Sequence, residues 1–321
     1  MKTKIEAIWD DSIDASTAKD SSELDLRRIS TATGTDIYAG SDGKGDRLFA
    51  IGVMTCPPAI DMKSGSFEYF RVTRKTGGWL MCLRLTASSV ASVFGKLCQD
   101  LADEASEMDS DAAVTRLFHD RLLLWKKLFE RNGNGLLSNS EIKGLIAELL
   151  VFRRLLHESV RSSVDIAFAW VGPLGADNDY AFADVSLEVK AVGPEAPYVT
   201  ISSLQQLGGP VESRLIVIPM RPAPGADELA VNLNKLTRAI EGEISSDIDA
   251  LREFRKRLLS SGYVEDEFYD SIAFVPQEFE VFRISEDFPR LTTQSVPKGI
   301  LAARYDIALD YVRENFERYE L

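Results

Sequence analysis

The chain has 321 residues, 45% of them hydrophobic and 27% charged, the composition of an ordinary globule of two domains or one elaborated domain. Its formal net charge of −13 argues against strong non-specific affinity for DNA, because that affinity comes from neutralising phosphates, so any contact with DNA must be local or assisted by a partner. No stretch approaches about 18 consecutive apolar residues and the N-terminus lacks a long apolar core, so neither a membrane span nor a signal peptide is expected and a cytoplasmic location follows.

In chain order, the first 45 or so residues are polar and acidic. Gly40-Ser-Asp-Gly-Lys-Gly45 lacks the spacing of a phosphate-binding loop and the Ser or Thr after its lysine, so it reads as a turn. Period-2 patterning predicts strands at 48–53, 67–73 and 79–85, followed by helices near 88–107 and 111–131. Residues 1–131 are thus expected to form a β-rich N-terminal module with helical cover. Cys56, Cys82 and Cys98 are far apart, which suggests neither a zinc knuckle nor a disulfide framework. The two histidines, His119 and His157, are too few for a multi-histidine metal site.

A second module is expected over 132–321. Ser138-Asn-Ser-Glu141 reads as a capping box that opens a helix to about 158, with Ile142, Leu145, Ile146, Leu149 and Leu156 at helical spacing. Glu148 is the odd residue there, since its neighbours one turn away are Gly144, Val151 and Phe152. Such a carboxylate needs a partner, and the ordinary one would be Lys143, Arg153 or Arg154. Strands are predicted at 166–170, 179–183, 185–192 and 198–201, with Leu215-Ile-Val-Ile218 as a buried central strand. After the turn Pro222-Ala-Pro-Gly225, a long helical region at 227–260 ends in the basic cluster Arg252, Arg255, Lys256 and Arg257. That cluster reads either as a solvated helix end favoured by the dipole or as a local contact to DNA phosphates. Strand material at 269–284 and a C-terminal helix from Tyr305 complete the chain.

The chemistry concentrates between Asp179 and Lys190. From Val185 onward the sequence alternates, with Val185, Leu187, Val189 and Ala191 on one face and Ser186, Glu188 and Lys190 on the other. A reversal about Ala183-Asp184 sets Tyr180 opposite Leu187 and Asp179 opposite Glu188. Directly opposed residues have Cβ atoms about 5 Å apart, where two carboxylates repel by roughly 3 kcal/mol at an effective dielectric near 20. A hard divalent cation, Mg²⁺ or Mn²⁺, would relieve that repulsion, cradled by Asp179, Glu188 and the Val189 carbonyl. Lys190, about 6.8 Å along the strand from Glu188, could orient a water or offset phosphate charge. A one-residue change in the loop would shift the pairing, so Asp177 and Asp184 are rival ligands. The alternative for Glu188-Val-Lys190 is a local ion pair on a solvated strand face.

Taken together, Gly144-Leu-Ile-Ala-Glu-Leu-Leu150, Trp170-Val-Gly-Pro173, Asp179-Tyr, Glu188-Val-Lys190 and Ser202-Ser-Leu-Gln-Gln-Leu207 resemble a family of PD-(D/E)XK proteins met in bacterial restriction and phage-defence gene clusters. The resemblance is centred on residues 138–220. It implies a restriction-endonuclease-like α/β fold, a mixed sheet flanked by helices, and a Mg²⁺- or Mn²⁺-dependent DNA endonuclease. Glu148 would be the acid of the first helix, Asp179 the hairpin acid, Glu188 and Lys190 the E-x-K pair, and Gln206 a polar residue on the following helix, with Gln205 as its competitor. Asn178 stands where a proline is expected before Asp179, and Ala147 where a glycine is expected. The other reading is a non-catalytic or partner-licensed subunit that keeps the fold and docks a defence-system protein. A homodimer would suit cutting of both strands.

Overall fold

The computed structural model describes residues 3–14, 24–29, 35–60, 65–132, 135–158, 161–209, 211–223 and 227–320. They form two compact units, Met1–Leu136 and Leu137–Leu321. The first holds α1 (Lys4–Asp14), β1 (Leu24–Ile29), β2 (Ile37–Asp42), β3 (Arg47–Val53), β4 (Phe67–Thr73), β5 (Trp79–Leu85), α2 (Ala91–Ala105) and α3 (Asp111–Asn132). Its strands make one antiparallel sheet in the order β1-β2-β3-β5-β4. Helices supply Trp9, Phe94 and Trp125 to an aromatic core around Phe67. The glycine-rich segment closes β2 to β3 as a turn: Asp42 accepts from the Lys44 and Asp46 amides at 2.9 and 3.0 Å, and Gly45 takes φ 84°.

The second unit follows as α4 (Asn139–Glu158), α5 (Ser163–Ala169), β6 (Tyr180–Ala181), β7 (Val185–Val192), β8 (Tyr198–Ile201), β9 (Glu212–Ala223), α6 (Leu233–Glu243), α7 (Ile248–Ser261), β10 (Ala273–Pro276), β11 (Glu280–Arg283), β12 (Tyr305–Ala308), α8 (Leu309–Asn315) and β13 (Arg318–Tyr319). The main sheet runs β13-β11-β9-β7-β6, with β10 also on β9. Among the described residues of this sheet only β7 and β9 pair in parallel, so the sheet is mixed, as the restriction-endonuclease-like reading requires. These two strands are the centre: β9 carries the near-continuous apolar run of a strand covered on both faces, and β7 is largely buried although its residues alternate. The capping box holds α4: Ser138 N–H donates to Glu141 Oε2 at 2.8 Å and Glu141 N–H to Ser138 Oγ at 3.4 Å. The helix then packs against β7.

Several expectations are corrected. Residues 166–170 are not a strand, because Ser162 caps the Asp165 amide and starts α5, turning Ile166, Ala167 and Ala169 inward. The region 227–260 is two helices, since Asp247 caps the Ala250 amide and begins α7 anew. β8 leaves the main sheet and pairs with β12, and the C-terminal region is strand, helix and strand instead of a single helix. Of the basic cluster, Arg257 is also corrected. Arg257 is buried, its Nε 2.6 Å from Glu253 Oε1 and its Nη2 donating to Phe168 O at 3.4 Å, so it cannot reach a phosphate. Arg255 meets Glu241 at 2.7 Å, Arg252 meets Asp249 at 3.5 Å and Lys256 meets Glu253 at 3.7 Å. No helix among the described residues is long and apolar enough to cross a membrane.

Removing one member of a buried ion pair leaves the other uncompensated, at a cost of about 3–5 kcal/mol. Arg257→Ala is therefore expected to lower the unfolding free energy by about 3 kcal/mol in urea, whereas the exposed Arg252→Ala changes it by less than about 1 kcal/mol.

Candidate active site

The β6–β7 hairpin forms in the expected register, with Tyr180 opposite Leu187 and Ala181 opposite Ser186. Phe182 N–H donates to Val185 O at 2.9 Å across Ala183-Asp184, and Asp179 N–H to Leu187 O at 3.1 Å, which lays Asp179 beside Glu188. The rival acids fall elsewhere. Asp184 is at the exposed tip, held by both oxygens to Arg161 at 2.8 Å, which lowers its carboxyl pKa. Asp177 is exposed and lines a separate cleft.

Trp170-Val-Gly-Pro173 carries the hairpin to α4. Val171 and Gly172 N–H donate to Asp179 O at 2.8 and 3.0 Å, and Trp170 pairs with Tyr180 as an isolated bridge. The indole of Trp170 is fully buried against Phe152 and Phe254, and its Nε1–H donates to Glu148 Oε2 at 2.7 Å. Tyr180 O–H donates to the Glu148 carbonyl at 2.8 Å. Two of the three basic neighbours of Glu148 are used otherwise, Arg153 on Glu243 and Arg154 on Glu158. At Gly172, an added Cβ would lie 2.8 Å from Asp179 Oδ1 and 3.1 Å from Glu148 Oε2. A glycine is needed here because any side chain would fill the gap between the two carboxylates.

Glu188 is 2% exposed. Its Oε1 lies 2.6 Å from Lys190 Nζ, while its buried Oε2 has no hydrogen-bond partner. Asp179 is oriented from the same strand, Oδ2 accepting from Val189 N–H at 2.7 Å. Burial dominates the proton affinities. It lifts Glu148 well above the usual carboxylate range, with the Asp179 charge adding and the Trp170 N–H opposing. It also raises Asp179 against the pull of the Val189 N–H and Lys190. Glu188 is pushed up to about 8 by burial and by Asp179, with Lys190 opposing and Asn178 near enough to oppose without a well-formed hydrogen bond.

Three carboxylates with no imidazole or thiol are a hard oxygen donor set, which suits Mg²⁺ or Mn²⁺. The unpartnered Glu188 Oε2 and Asp179 Oδ1, which faces the gap at Gly172, are the oxygens open to such an ion, while Glu148 Oε2 at the same gap already accepts from Trp170. Among the described residues no three His, Cys, Asp or Glu side chains already stand at chelating distance, because each carboxylate has one oxygen tied to Trp170, Val189 or Lys190. The residues fit the ion as a set that must adjust to close on it.

Gln206 is placed differently from expectation. Residues 203–207 make a turn, not a helix, because Ser203 Oγ accepts from the Gln205 and Gln206 amides and Gln206 Oε1 accepts from Ser202 N–H at 2.6 Å. Its carbonyl accepts from the Asn178 side chain, so it steadies the residue before Asp179 while its own amide is occupied. Gln205 is exposed and lines the same cleft as Asp177. Trp170, Gly172 and Asn178 are the positioning residues that sequence reasoning left without roles. The Trp-x-Gly-Pro spacing was the available signal, but the indole's partner is 22 residues away on another element.

Acidic residues from a helix and an edge hairpin, with a lysine two residues beyond the buried glutamate on a mixed sheet, define a protein of the PD-(D/E)XK nuclease-like class. Residues 5–310 match the family described as "Putative PD-(D/E)XK family member, (DUF4420)", and the chain belongs to that family. No curated protein and no solved structure compared gives a match.

A carboxyl group that keeps its proton to about 8 when folded, against 4.5 ordinarily, contributes stability at low pH that is withdrawn as the pH rises between those values. In metal-free buffer, the wild-type Tm is expected to fall more steeply between those limits than that of Glu188→Gln, as followed by circular dichroism. Parallel curves would show that Glu188 ionises normally.

Proposed function

We propose that the chain is a Mg²⁺- or Mn²⁺-dependent endonuclease that hydrolyses phosphodiesters of DNA in a bacterial restriction or phage-defence system. The observation that carries this reading is the meeting of Glu148 and Asp179 around Gly172, beside the Glu188–Lys190 pair. Asp179, Glu188 and Glu148 would hold the cation, with the Val189 carbonyl as a further ligand. Once bound, the cation supplies charge neutralisation at the phosphate and a more acidic water.

The chain's own groups do the remaining work. Trp170 Nε1–H fixes one oxygen of Glu148, and Val189 N–H fixes one of Asp179, so each acid presents its other oxygen in a set direction. Lys190 Nζ, already at Glu188 Oε1, is a mobile cation that can transfer its hydrogen bond to a phosphate oxygen or to the attacking water. Burial around Glu188 strengthens these interactions by keeping competing water away.

The lysine's engagement with Glu188 also supports a second reading, a nuclease licensed by a partner that frees Lys190, or a subunit that never cuts. Two copies about a two-fold axis would suit cleavage of both strands. Supercoiled and linear plasmid incubated with the wild type in Mg²⁺ or Mn²⁺ should be cut. Lys190→Ala and Asp179→Asn should each lower the rate at least about 100-fold while the far-ultraviolet spectrum is kept. Cutting that persists in Lys190→Ala would reject the assigned site, and no cutting by the wild type would favour the second reading.

A further inference from the structure

A cleft of about 890 Å³ opens on the other side of the β6–β7 hairpin from α4, and nothing in the site described so far uses it. It is continuous with that site through the chain. Asp177 and Asn178, which directly precede Asp179, line one wall. Ser186, on the face of β7 that also carries Glu188 and Lys190, lies in its floor.

The opposite wall is the segment 284–304 between β11 and β12, which has neither helix nor strand. Loops of this length inside a compact unit are uncommon and are usually functional. This one is fastened: Arg290 donates to Leu207 O, Thr292 N–H donates to Ser295 Oγ at 2.7 Å, and Ser295 N–H donates to Thr292 Oγ1 at 3.2 Å. Thr293 and Gln294 are exposed and line the cleft, as does Gln205 of the turn that follows β8.

The lining decides what the cleft can take. Its charged groups are Asp177, Glu286 and Arg290, two acids and one base, and the base is already bonded to a carbonyl. With two acids against one base, the lining does not favour a phosphate. The rest of the polar lining is amide and hydroxyl, which recognises the donor and acceptor edges of an uncharged ring. The volume falls in the ordinary range for a small-molecule site and admits one nucleotide.

We infer that this cleft receives one unstacked base of the DNA substrate, from a nucleotide adjoining the scissile phosphate, and that Gln205, Thr293 and Gln294 read its edge. The inference rests on the nuclease reading above and adds to it a base-specific requirement at one position.

The test uses short duplexes, each with 2-aminopurine at one position across a cleavage site mapped with the wild type. They are bound to Lys190→Ala protein in Ca²⁺, where an extruded 2-aminopurine brightens. A severalfold rise confined to one position next to the cut is expected. Adding Thr293→Ala and Gln294→Ala should abolish the rise, and the same pair in the wild-type background should lower kcat/KM about tenfold. DNA held by anisotropy with 2-aminopurine dark at every position, or the double variant cutting at the wild-type rate, overturns the base site and leaves the nuclease reading standing. Absence of both binding and cutting for every DNA tried overturns the nuclease reading, and the base site with it.

Discussion

Carboxylates gathered away from water repel one another and resist ionisation, and the second unit does this to Glu148, Asp179 and Glu188 together. Burial raises all three proton affinities, and the Asp179 charge adds to the rise at Glu148 and Glu188. The surrounding structure holds them in place regardless: an indole N–H on one, a backbone N–H on the next, an ammonium on the third. The capping box that starts α4, the buried Trp170 and the parallel β7–β9 centre all serve to keep three mutually unfavourable groups within reach of a common gap. Such an arrangement costs stability, and proteins retain costs of this kind at functional sites.

The hairpin was legible because its constraint is local and binary. A strand buried on both faces tolerates no slip of register, so the alternation from Val185 and a two-residue reversal were enough to pair Tyr180 with Leu187. Glu148 was legible as a polar residue out of place on an apolar helix. The short apolar run at 166–170 was not, since periodicity cannot separate a buried strand from a buried helical turn, and the Ser162 cap decided the matter. Gln206 was misplaced for a similar reason: Ser203 takes the backbone amides that a helix would need elsewhere.

The basic cluster shows a different limit. Sequence counts charges but not their partners, and here Glu241, Asp249 and Glu253 answer Arg255, Arg252 and Arg257 in turn. With the α7 cations paired in this way, the proposed contact with DNA would rest on short-range interactions around the hairpin. Charge drawn in at the carboxylates and neutral hydrogen-bonding groups in the adjoining cleft would divide that work between phosphate and base.

The central claim is that the space at Gly172 is where these carboxylates share a cation. Calorimetric titration of Mn²⁺ into the wild type and into Gly172→Ala, near neutral pH in buffers of different ionisation enthalpy, tests it most directly. The account predicts one binding event with proton release in the wild type and none in Gly172→Ala, whose added methyl would lie 2.8 Å from Asp179 Oδ1 and whose fold is checked by its far-ultraviolet spectrum. Equal binding by the two proteins, or no binding by the wild type, would contradict it.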